Sequence, residues 1–193
     1  MSKRKLYGVI LAVAIVIAVG LLMTNTDSVL APILGTPEKE NLPTSVFSPL
    51  TQQDEIQVFV AVIVQLRKGP GPTYILRTTD DRGGSHFATE SNSLILSPST
   101  QDGISAALSG LPPKIVWIDQ FSEIERDPME KGGRLRDGGS VITLGNLKTN
   151  GANSVYLVAQ AYRGSMDGVG YAYTVEKVKG VWTITGLRQI WIS

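Results

Sequence analysis

The sequence contains no cysteine and a single histidine. Without cysteine no disulfide can staple the chain and no lipid can be attached to a lipoprotein cysteine, so a folded domain must be held by its own core. One histidine and no thiolate also leave a transition-metal site short of its usual ligands. Excess charge of one sign is missing as well. The formal net charge is +1, and setting aside Lys3, Arg4 and Lys5 leaves 15 basic against 17 acidic residues. That balance argues against nucleic-acid binding, which needs a basic surface, and it gives no reason to expect strong adsorption to anionic lipid. No internal repeat is visible.

What the sequence does have is concentrated at its start. Lys3, Arg4 and Lys5 precede an uncharged run of eighteen residues, 6–23, reading LYGVILAVAIVIAVGLLM. As a helix at about 1.5 Å per residue it would span roughly 27 Å, close to the thickness of a bilayer core. Leu6, Val9, Ile10, Ile15, Ile17, Leu21 and Leu22 are the side chains expected to face lipid. The first charge after the run is Asp27, so the positive-inside bias keeps Lys3, Arg4 and Lys5 in the cytoplasm and exports the rest. Two readings of the run compete. A secretory signal has an apolar stretch of roughly 7–15 residues and a small-residue cleavage site. Here the run is longer, and the best site, Val29-Leu30-Ala31, lies well beyond it and is followed by Pro32. An uncleaved single-pass anchor is favoured, with a cleaved signal as the alternative. Ala14, Ala18 and Gly20 offer small residues to a partner helix, but such residues are common in membrane spans.

Residues 24–50 read as a tether, with Pro32, Pro37, Pro43 and Pro49 among polar residues and no apolar period. Residues 51–193 have the size of one domain. Thr51 is placed to cap a helix on which Ile56, Phe59, Val60, Ile63 and Leu66 share a face, ending before Gly69-Pro70-Gly71-Pro72. Residues 74–79 read as a strand, and 80–91 as a polar loop. Ser97-Pro98 opens a second helix with Ile104, Ala107, Leu108 and Leu111 on its apolar face, stopped by Pro112-Pro113. Residues 114–118 read as a short buried strand and 119–139 as a charged loop. Segments 141–144, 155–162, 171–178 and 181–192 read as strands, the last two joined by a Lys179-Gly180 turn. Their short Gly-containing connections favour an antiparallel meander. The expectation is an α+β domain: two helices packed on a C-terminal antiparallel sheet, behind an N-terminal transmembrane helix.

Glu55-Ile56, Ala61-Val62-Ile63 and Gln65-Leu66, then Leu96-Ser97-Pro98 with Ile104, Ala107, Leu108, Val116 and Asp119, then residues 170–177, 180–184 and Trp191-Ile192-Ser193 form one pattern. In it the exported part resembles a group of small uncharacterised bacterial proteins, a likeness that implies no activity. The ending is similar to the last hairpin of NTF2-like and cystatin-like domains. That resemblance implies a bent sheet backed by a helix, in some members with a pocket. Catalytic NTF2-like pockets carry inward Asp, His or Tyr, and no such set aligns here position by position.

The chemical candidates are each weighed against a plain structural role. His86 follows Gly83-Gly84-Ser85 and lies near Asp80 and Asp81. A Ser–His–Asp system needs its members to meet in space, which immediate neighbours in a loop seldom do. Asp119, Glu123, Glu125, Asp127 and Glu130 crowd one loop as oxygen ligands would. The EF-hand spacing is absent, however, and Arg126, Lys131, Arg134 and Arg136 are interleaved to neutralise them. Residues 164–168 lack nucleophile-elbow spacing. Gly168-Val169-Gly170 leads into a strand rather than a helix, so it is no dinucleotide loop. Both stretches read as turns. Tyr156, Tyr162, Tyr171, Tyr173, Trp182 and Trp191 at strand spacing read as core or cross-strand pairs before ligand platforms.

The reading is a non-enzymatic accessory or interaction domain, tethered outside a bacterial cytoplasmic membrane. No catalytic residue, metal or cofactor is implied. Its partners are the lipid bilayer and a membrane protein, and not nucleic acid. An NTF2-like domain that binds or transforms a small ligand is the first alternative. A subunit of a larger membrane complex is the second.

Overall fold

The computed structural model describes residues 50–81, 92–126, 133–164 and 167–193. The apolar run 6–23 with its basic head, the Pro-rich stretch as far as residue 49, His86, Asp127, Glu130, Lys131, Ser165 and Met166 lie outside these residues. Within them, no helix is long and apolar enough to cross a membrane.

Helix α1 is Gln52–Leu66. Thr51 caps it: its hydroxyl accepts from the Asp54 N–H at 3.1 Å and donates to the Asp54 carboxylate at 2.6 Å. Asp54 and Glu55 in the first turn complement the helix dipole. Ile56, Phe59, Ile63 and Leu66 recur at helical spacing and are buried, as are Val58 and Val62. Each such side chain contributes roughly 1.5–3 kcal/mol relative to exposure, which outweighs the modest helix propensity of the β-branched residues. Helix α2 is Pro98–Leu108, capped by Ser97, whose oxygen accepts from Thr100 N–H at 3.1 Å. Its buried stripe is Thr100, Ile104 and Leu108, one residue per turn. Ala107 is exposed and Leu111 is partly so, which corrects the wider face expected from sequence. The helix packs on α1 along that narrow stripe, and the Thr100 hydroxyl donates to Glu55 at 3.1 Å across the contact.

The strands are β1 (Thr73–Leu76), β2 (Ile115–Ile118), β3 (Ser140–Leu144), β4 (Lys148–Thr149), β5 (Ser154–Gly164), β6 (Asp167–Val178) and β7 (Val181–Ile192). They form one sheet in the order β2-β1-β3-β5-β6-β7, with β4 paired to β5. The run β3-β5-β6-β7 is antiparallel, as the short connections require. The sheet as a whole is mixed, which corrects the purely antiparallel expectation. β1 lies parallel to both β2 and β3. The chain between β1 and β2 contains α2, and a crossover of that length returns the next strand in the same direction. Lys179 and Gly180 both take positive φ, 51° and 83°, and so make the tight turn between β6 and β7 that matches strand twist.

The core lies between the helices and one face of the sheet. Along β5, Val155, Leu157, Ala159 and Ala161 point into it and alternate with half-buried Tyr156, Val158, Gln160 and Tyr162. Tyr173, Val175 and Trp182 from β6 and β7 complete it. A second cluster, Ile118, Ile124, Leu135 and Val141 with Tyr74, Leu76, Val116 and Phe121 around it, forms apart from the main core. Ile124 and Leu135 come from the stretch read as a charged loop. That loop folds through a 3-10 turn at Phe121–Glu123 and a bridge between Arg126 and Leu135. The strand 115–118 is half-buried except at Ile118, because it is the edge of the sheet.

Gly168-Val169-Gly170 is strand, not turn. A Cβ on Gly168 would meet Trp191 ring atoms at 2.9 Å. The glycine is there so that an aromatic ring can lie over the backbone, which sequence alone presents as a turn signal.

Candidate functional site

Among the described residues polar side chains tie distant parts of the chain together at several places. At the first, Asp54 Oδ1 accepts from Lys177 Nζ at 2.7 Å and from Trp182 Nε1 at 2.8 Å. The bond from Lys177, then those from Thr51 and Trp182, hold the Asp54 carboxyl far below the usual carboxylate range. Lys177 also sits 5.7 Å from the Trp182 ring centroid. These bonds make a clamp between α1 and the β6–β7 hairpin.

At the second, Asp81 accepts from Asn146 N–H at 2.9 Å and from Asn146 Nδ2 at 3.1 Å, with Lys148 Nζ at 3.6 Å. Asn146 Nδ2 also donates to Asn92 O at 2.6 Å, and the Thr79 hydroxyl bonds the Asn146 amide oxygen. Both ends of the stretch read as a polar loop are thus pinned to the β3–β4 connection. At the third, Tyr74 donates its hydroxyl to Asp137, whose other oxygen accepts from Gly139 N–H at 2.9 Å. That bond, with burial, pushes the Tyr74 phenol up to about 12.

Of the acidic residues that crowd one loop in the sequence, the described ones each have a partner of their own. Asp119 pairs with Arg77 at 3.0 Å, and Glu125 with Arg136 at 3.1 Å. Glu123 Oε1 accepts from the Asp119 and Gln120 N–H groups at 2.7 and 2.8 Å. Among the described residues no group of three or more carboxylates or histidines is placed to hold a metal ion.

The aromatics divide. Tyr173 and Trp182 are buried. Tyr171 meets Tyr173 edge-to-face at 6.0 Å, and Tyr162 meets Phe121 at 5.7 Å. The Tyr173 hydroxyl is buried in the core and makes no hydrogen bond among the described residues, and burial raises its pKa. Open depressions mark the surface formed by the described residues. One of about 440 Å³ is lined by Asn150, Asn153, Ser154, Glu176 and Lys177. The other, about 480 Å³, lies at the end of α2, beside Leu111, Pro112 and Ile115. Neither brings titratable groups together in a buried setting.

The feature that sequence reasoning missed is the outer edge of the sheet. Among the described residues β7 pairs with β6 alone and is the last strand of the sheet. Val181, Leu187, Ile190 and Ile192 are 54%, 48%, 39% and 71% exposed along it. Ser193 and Gly168 exchange both backbone bonds, at 3.0 and 3.5 Å. By the alternation of an antiparallel ladder, Ile192 then turns its N–H and C=O away from β6. Residues 181–192 had read as a strand, but only strand order reveals which strand is outermost. No family model, curated protein or solved structure matches the chain.

Proposed function

We propose that this chain is a membrane-tethered interaction domain, non-enzymatic, displayed on the outer face of a bacterial cytoplasmic membrane. The observation that carries the interaction role is the open β7 edge, twelve residues long and lined by exposed Val181, Leu187, Ile190 and Ile192. A long apolar edge strand is a template for pairing with another chain. The tethered part of the reading is supported by the uncharged run 6–23 behind Lys3, Arg4 and Lys5.

Protease added to intact cells stripped of their outer layers tests the topology. The expected result is digestion of residues 51–193 and recovery of the remainder in the membrane fraction. A protected domain in the cytosol, or a soluble form starting near Pro32, would overturn the tethered reading.

A second reading, an NTF2-like ligand-binding domain, has one observation in its favour. The unpartnered Tyr173 hydroxyl lies in the core between helices and sheet, where such a pocket would open.

A further inference from the structure

We infer that Asn150 is a site of spontaneous covalent modification, where the folded chain converts its own side-chain amide to aspartate and isoaspartate through the neighbouring Gly151 nitrogen. The inference is independent of the interaction reading above.

Asn150 and Gly151 open the connection between β4 and β5. An Asn-Gly pair suits such a turn, and Gly151 takes φ 83° in it. The same pair brings the chemistry. Glycine sets no side chain in the way of its own nitrogen, and a Cβ built on Gly151 would meet nothing within 4 Å. Both residues are exposed, and Asn150 lines an open depression with Asn153, Glu176 and Lys177. Water and the turning side chain therefore have room. The other described asparagines each lack part of this. Asn146 is pinned: its amide bonds Asp81, Asn92 and Thr79, and Leu147 after it packs on the core. Asn153 precedes Ser154, the first residue of β5, which is paired with Glu176. Asn92 is exposed but is followed by Ser93, whose side chain crowds the attacking nitrogen.

The step needs only the chain and water. The Gly151 nitrogen attacks Asn150 Cγ, held beside it by the backbone they share. The N–Cγ bond forms, the Cγ–Nδ2 bond breaks, and the proton of the attacking nitrogen leaves with Nδ2 as ammonia. Water then opens the cyclic imide. Attack at Cγ gives aspartate, and attack at the main-chain carbonyl gives isoaspartate, in which the backbone runs through Cγ. Either product adds a negative charge to a depression already lined by Glu176 and Lys177. Isoaspartate also lengthens the main chain by a methylene. It does so inside a turn tied by Asn150 N–H to Ser154 O and by Lys177 N–H to Asn153 O, both at 2.8 Å. An aged copy of the domain would differ from a new one at this turn.

The test incubates the full chain in mildly alkaline buffer at physiological temperature and maps it by peptide mass spectrometry, with electron-transfer fragmentation to tell isoaspartate from aspartate. Asn150 should turn from amide to acid about tenfold faster, or more, than Asn92, Asn146 and Asn153, with isoaspartate among its products. Asn150→Gln keeps Gly151 and the turn but would have to close a larger ring, so position 150 should then stay an amide over the same time. Conversion of Asn150 no faster than that of Asn153 overturns the inference. Equal loss of amide from Asn150→Gln overturns it too, as does aspartate formed without isoaspartate, the mark of direct hydrolysis by water.

Discussion

Asp54 and Trp182 are 128 residues apart in the chain and are joined by a 2.8 Å hydrogen bond from the indole N–H to the carboxylate. The same oxygen receives Lys177. The first turn of α1 is thereby fixed to both strands of the final hairpin.

Asp54→Asn breaks the ion pair and weakens two further bonds, and should cost about 2–3 kcal/mol. The sign of its pH dependence follows from the depressed pKa. The carboxylate contributes its full stabilisation above its ordinary value of 3.8 and loses it as pH falls toward the depressed value. Urea midpoints measured from neutral pH down into acid should therefore fall more steeply for the native chain than for Asp54→Asn. Parallel curves would remove Asp54 as the source.

Tyr173→Phe should leave stability unchanged or raise it by up to about 1 kcal/mol, since the deleted hydroxyl is buried without a partner. Tyr173→Ala should cost about 3–5 kcal/mol through the cavity it leaves. Denaturant midpoints decide. A loss above 1 kcal/mol for the Phe variant would mean that the hydroxyl has a bond, and would favour the pocket reading.

Tyr74 should ionise late. Its phenol is pushed up to about 12 by Asp137 and by burial, against 10.0 for a free tyrosine. The raised pKa makes this bond stabilising below pH 10, with the contribution lost as pH rises through the folded value. Tyrosinate absorbance followed by pH should show a late step that belongs to Tyr74, and Asp137→Asn should bring that step back toward 10.

The two caps are not equal. Thr51→Ala and Ser97→Ala each remove an N-cap, worth about 1 kcal/mol. Ser97 also meets the Thr100 hydroxyl at 2.9 Å, and Thr100 donates to Glu55 on α1. The Ser97 variant should therefore lose more, by about 0.5 kcal/mol, and a double change with Glu55→Ala should be less than additive. Strict additivity would separate the cap from the contact between helices.

Local patterns carried most of the elements. The Thr51 and Ser97 caps, the alternation along β5 and the Lys179-Gly180 turn are written in adjacent residues, because the forces that set them act within a few positions. Strand order was not legible. β1 lies parallel to both β2 and β3 through pairings such as Thr73 with Ile115 and Thr73 with Ser140, far apart in the chain, and nothing in residues 73–76 or 115–118 names the partner. Gly168 misled for a related reason: its small size serves Trp191, on another strand, and not its own backbone. The β7 edge was hidden in the same way, since an apolar strand reads alike at the centre of a sheet and at its rim. The Asp54 clamp had a partial signal in the capped first turn, but its two donors lie more than a hundred residues away.

The clamp at Asp54 also decides how the domain bears load. Residue 50 is where the preceding chain joins α1, and any pull arriving along that chain reaches Thr51 first. Three residues on, at Asp54, a pull would pass from a single helix end into two long strands through Lys177 and Trp182. The helix cannot be drawn off the sheet from its first turn without parting an ion pair and an indole bond together. The first turn of α1 is thus locked to the sheet at the point where the chain enters the domain.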